Sequence, residues 1–129
     1  MFTLKKSDTG AAQPWEYYPA KAGTYKAGQL LAIAAGMLAA ISAASTTTPA
    51  YLCEADITVE DGQNVPVTRV ADDAIYETQL SAAAADADVG SMLRISAGGL
   101  QVDAGAEGSF EVVYIEDTAA GATVHGRFH

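Results

Sequence analysis

The chain has 129 residues, half of them apolar, and a formal net charge of −9 at pH 7. That length is enough for one domain with a real core, and the apolar share excludes a chain disordered throughout. So acidic a protein repels phosphate backbones, which argues against a nucleic-acid partner.

The charge is unevenly spread. Residues 1–28 carry four lysines against Asp8 and Glu16, a net +2, and residues 29–129 carry three arginines against fourteen carboxylates, a net −11. The opening Met-Phe-Thr-Leu-Lys-Lys-Ser-Asp shows no apolar h-region, so synthesis in the cytoplasm is expected. From Met1 to about Ala22 no apolar periodicity appears, yet this stretch holds the only tryptophan, Trp15, together with Tyr17 and Tyr18. Pro14 and Pro19 bracket the aromatics and favour an extended backbone. Trp and Tyr are the residue types most enriched at binding hot spots. The first 22 residues therefore read as an extended N-terminal arm on a single β domain, residues 23–129. The candidate binding residues on that arm are Phe2, Lys5, Lys6, Trp15, Tyr17 and Tyr18. Such an arm lies along a partner or adds a strand to a sheet edge, with packing on the protein's own body as the alternative, and its removal, residues 1–18, is expected to leave a folded body.

Leu30 to Ala44 is apolar apart from Ser42, and Gly28, Ala32, Gly36 and Ala40 stand four apart, as small residues do in packed membrane helices. The run is 15 residues long, short of the roughly 20 that a span requires, and no basic residue flanks its C-terminal side. Gly36 divides it into Leu30–Ala34 and Met37–Ser42, which fits a hairpin turning at Ala35-Gly36. A buried helix is the alternative, because alanine favours helix.

Next, Ala50–Thr58 alternates as a half-buried strand, with Tyr51, Cys53, Ala55 and Ile57 on one side and Leu52, Glu54, Asp56 and Thr58 on the other. Glu60 to Asn64 is turn chemistry. Val65–Val70 reads as a strand with Pro66 near its start. Ile75–Leu80 places Tyr76, Thr78 and Leu80 opposite Ile75, Glu77 and Gln79. Ser81–Asp88 is a loop or one helical turn. Met92–Ser96, Leu100–Val102, Ser109–Glu116 and Thr123–Phe128 complete a set of seven to nine short strands. Their even spacing predicts a mostly β fold, a compact small barrel or sandwich.

No residue constellation carries catalysis. His125 and His129 are the only imidazoles, and no cysteine cluster accompanies them, so no metal and no cofactor is expected. The carboxylate pairs Glu54/Asp56, Glu60/Asp61, Asp72/Asp73 and Asp86/Asp88 lack the ligand order of a calcium loop and read as solvated surface charge. Cys53 stands alone and reads as a small buried strand residue.

One stretch after another resembles a known family. These are Pro19 to Gln29 (Pro-Ala-Lys-Ala-Gly-Thr-Tyr-Lys-Ala-Gly-Gln), the hairpin around Gly36, Pro49 to Ala55, Val65 to Val70, Ile75 to Thr78, Ser96 to Val102, and Val124 to Phe128. In order and style they are similar to the small accessory head proteins of tailed bacteriophages, the decoration or head-fibre-like capsid proteins. The resemblance implies a virion protein on the outer capsid surface, made in the host cytoplasm, with no active site. It implies the major capsid protein as partner, bridged and stabilised against packaged DNA, and self-association as a trimer around threefold or quasi-threefold positions. It implies no nucleic-acid or membrane partner. A carbohydrate- or host-surface-binding β module is the alternative, and aromatics gathered at a concave site would favour it.

Overall fold

The computed structural model describes residues 1–7, 14–105 and 107–129. Among them are thirteen strands in antiparallel sheets and no α-helix. The six-stranded sheet runs β1 (Thr3–Ser7), β9 (Ala74–Gln79), β13 (Thr123–Phe128), β12 (Phe110–Ile115), β10 (Met92–Ile95), β11 (Val102–Asp103). The five-stranded sheet runs β2 (Trp15–Pro19), β8 (Asn64–Arg69), β6 (Tyr51–Cys53), β4 (Leu30–Ala34), β5 (Met37–Ala40). A two-stranded sheet pairs β3 (Gly23–Tyr25) with β7 (Ile57–Val59). The sheets keep open edges and do not close into the barrel that strand spacing allows.

Two cores lie on opposite faces of the five-stranded sheet. The main core joins Leu30 and Leu52 of that sheet to Tyr76, Leu93, Phe110 and Phe128 of the six-stranded one. The second core joins Leu31, Tyr51, Cys53 and Val67 to Tyr25 and Val59 of the small sheet. Successive side chains of a strand point to opposite faces, so Leu30 and Leu31 divide between the cores, as do Leu52 and its neighbours. This corrects the half-buried reading of Tyr51-Leu52-Cys53: all three are buried. Each large apolar side chain so enclosed contributes about 1.5–3 kcal/mol.

The strand count also exceeds seven to nine. Ala50–Thr58 is not one strand but β6 and β7, which belong to different sheets. Between them Asp56 accepts a hydrogen bond from the Ala27 amide at 2.9 Å, holding the chain where it leaves one sheet for the other. The hairpin reading is correct, with Leu30–Ala34 as its first strand and a second strand that ends at Ala40 rather than Ser42. Ala34 pairs with Met37, and the two turn residues, Ala35 (φ 53°) and Gly36 (φ 78°), both have positive φ. That is the turn whose twist matches flanking strands. It favours glycine, so alanine at the first position costs about 1 kcal/mol.

The described residues of the arm are edge strands of the body. β1 pairs with β9 and β2 pairs with β8. The Phe2 amide donates to the Gly28 carbonyl at 2.8 Å. A side chain at Gly28 would meet Met1 Cβ at 2.8 Å and the Phe2 carbonyl at 2.9 Å, so glycine is what lets the chain start lie here. Of the two readings of the arm, packing on the protein's own body is the one residues 2–7 and 15–19 follow.

Candidate docking site

β2 reads Trp-Glu-Tyr-Tyr-Pro, and the strand period sends Trp15 and Tyr17 to one face and Glu16 and Tyr18 to the other. Trp15 is 55% exposed and Tyr17 63% exposed. Their cross-strand partners are Thr68 and Pro66 of β8. Among the described residues no strand pairs with Trp15–Pro19 on the side away from β8, so the backbone edge there is open up to Ala20, which bridges Leu38 of β5.

Tyr18 turns the other way. Its ring packs against Tyr51 with centroids 4.8 Å apart, and its hydroxyl donates to Glu16 Oε1 at 3.2 Å. Glu16 lies 3.7 Å from Arg69 Nη2, and the Arg69 guanidinium stands 5.6 Å from the centre of the Tyr51 ring. Hydrogen bonding to Tyr51 and then Glu16 pushes the Tyr18 hydroxyl up to about 12, so it remains a donor at neutral pH.

The other arm residues separate. Phe2 is 2% exposed and packs against Phe110 and Phe128 in the main core. Its assignment as a partner-binding residue is corrected: the ring fills the protein's own interior. Lys5 and Lys6 are exposed on β1, in the other large sheet, and Lys5 Nζ lies 3.5 Å from Glu77 Oε2. The structure thus brings Trp15 and Tyr17 together, sets Tyr18 behind them, and leaves the lysines apart.

Beside Trp15 a cleft of about 380 Å³ opens between the two large sheets. Leu4 and Tyr76 line it from one sheet with Phe2 just ahead of β1, Trp15, Leu52 and Thr68 from the other, with Glu54 at the wall. The Thr68 hydroxyl donates to Glu54 Oε1 at 2.8 Å. Local pattern grouped Glu54 with Asp56 as surface charge and so missed this. The only local signal is its place directly after the buried triplet of β6.

Both imidazoles meet carboxylates away from this cleft. His125 Nε2 lies 2.9 Å from Glu77 Oε2, and His129 Nε2 lies 3.5 Å from Glu111 Oε1. The Cys53 thiol is buried and donates to the Ala55 carbonyl at 3.1 Å, and burial raises its pKa above the usual thiol range. Cys53 is therefore the small buried strand residue expected. Among the described residues no three His, Cys, Asp or Glu side chains gather as a metal set, and no helix is long and apolar enough to cross a membrane. No protein-family model and no curated protein matches this chain.

Proposed function

We propose that this protein is a non-enzymatic structural protein that binds the outer surface of an assembled bacteriophage capsid and stabilises it by bridging major capsid protein subunits. The observation that carries the reading is the pair Trp15 and Tyr17, both more than half exposed on a strand whose edge away from β8 meets no strand among the described residues. Rigid aromatic side chains dominate binding hot spots, and an open edge adds a partner's strand through main-chain hydrogen bonds. The two large sheets on one core, read as a sandwich, supply a firm base for that edge. The net charge of −9 suits a crowded outer surface and keeps the protein off DNA. In this reading the protein is made in the host cytoplasm, joins the virion, and gathers as a trimer at threefold or quasi-threefold positions.

The test is co-sedimentation of the purified protein with mature and immature shells assembled from a tailed-phage major capsid protein. Binding to mature shells, lost in Trp15→Ala, is the expected result. No binding to either shell would sink the proposal. Trp15 at the mouth of a cleft favours the second reading, a carbohydrate-binding module, and retention on a host glycan with none on shells would establish it instead.

A further inference from the structure

The cleft beside Trp15 combines three elements. One is an exposed indole face. The second is a half-buried carboxylate, Glu54. The third is an apolar lining from Leu4 and Leu52. Their arrangement is fixed by the strand register. Trp15 is directly opposite Thr68, Thr68 is directly opposite Leu52, and the Thr68 hydroxyl holds Glu54 Oε1. Thr68 is only 7% exposed, so this hydroxyl has little water to bind in place of Glu54.

Glu54 has no cation of its own among the described residues. Arg69 pairs with Glu16, Lys5 pairs with Glu77, and the terminal amine donates to Gln79 Oε1 at 3.0 Å. Residues 8–13 read Asp-Thr-Gly-Ala-Ala-Gln and contain no cation. A carboxylate set in an apolar cleft favours a charged partner with an apolar stem, and the adjacent indole selects a planar cation. Arginine has all three properties. Its guanidinium stacks on an aromatic face, forks onto a carboxylate, and trails methylene groups that line apolar walls.

We propose that the cleft receives an arginine side chain of the partner protein, stacked on Trp15 and paired with Glu54. This rests on the docking function proposed above and names the chemistry its partner presents. The net charge of −9 draws a basic segment toward the site from a distance.

Trp15 is the only tryptophan, so its fluorescence in the full-length protein reports the site alone. The probes are three blocked tripeptides, Ac-Ala-Arg-Ala-amide and its counterparts with lysine and with citrulline, the neutral isostere of arginine. The expected result is a saturable change with the arginine peptide, and binding weaker by about tenfold or more with citrulline. Glu54→Gln keeps an acceptor for Thr68 and should weaken the arginine peptide by a similar factor while leaving the unfolding midpoint close to wild type. No saturable response, an equal response to citrulline, tighter binding of lysine, or an undiminished response in Glu54→Gln would each overturn the inference. The titration contains no shell. Peptide binding without shell binding would fault the capsid reading, and shell binding without peptide selectivity would fault this one.

Discussion

The ring of Phe2 meets the ring of Phe110 edge to face, with centroids 6.0 Å apart, and so ties the second residue of the chain to the twelfth strand. Phe128 completes the cluster at 5.9 Å from Phe2. Truncation of a buried phenylalanine to alanine typically costs about 3–5 kcal/mol. Phe2→Ala should lose stability in that range, read from urea unfolding. Deleting residues 1–18 should lose more, because it also strips β1 and all but the last residue of β2. A truncated protein as stable as the full chain would show that the Phe2 packing contributes nothing.

Trp15 separates binding from folding. More than half of its surface is already in water, so Trp15→Ala should shift stability by less than about 1 kcal/mol, as surface changes do. Shell affinity should fall by about tenfold or more, at roughly 1.4 kcal/mol per decade. The paired change Lys5→Ala/Lys6→Ala should cost less affinity, and its effect should shrink as salt rises, since exposed charges are screened. If the lysine variant loses more at both low and high ionic strength, Trp15 is not the anchor.

Glu77 gives the fold a pH dependence. The His125 hydrogen bond is the largest influence on its carboxyl, and with the Lys5 charge it outweighs desolvation, holding the pKa below the ordinary 4.5. A folded-state pKa lower than the unfolded one contributes stability that is complete above about 4.5 and is lost as pH falls through the folded value. Wild type should therefore exceed Glu77→Gln in urea midpoint at about pH 6, and the gap should narrow by about pH 3. A gap that is the same at both pH values would assign the effect to packing instead.

The hairpin turn offers a gain. Ala35 holds φ 53°, a conformation that asparagine tolerates better than alanine. Ala35→Asn should raise stability by about 0.5–1 kcal/mol, seen as a higher melting temperature. A fall would mean that the alanine methyl makes a contact worth more than the strain.

Strands whose signal is local were legible. Ala74–Gln79 alternates residue by residue, and the buried set Ala74, Tyr76 and Thr78 follows that alternation. Gly36 marked the hairpin because its break falls where both halves are strand-length. Pairings between distant residues were not legible. Nothing near Leu4 announces Tyr76, and nothing near Trp15 announces Thr68. The arm looked free because its partners lie far along the chain. Tyr51-Leu52-Cys53 looked half-buried because alternation describes one core, and this sheet serves two. For the docking site, residue type picked out Trp15 and Tyr17. Phe2 carried the same aromatic signal and belongs to the interior, since type alone does not say which ring faces water. Glu54 joins the site only through the register that sets Leu52 opposite Thr68.

The three residues of β6 form the wall between the two cores, with Leu52 facing one and Tyr51 and Cys53 the other. Solvent reaching either face of that wall has to undo a whole core first. The Leu52 amide lies between β4 and β8, with the ladders on both sides in place. Its proton should therefore be among the last in the molecule to exchange for deuterium, at a rate set by opening of the whole fold. Loosening one core alone, by a substitution such as Val59→Ala, should speed exchange in β3 and β7 well before it reaches Leu52. That interval in time would measure how far the two halves of this small protein open independently.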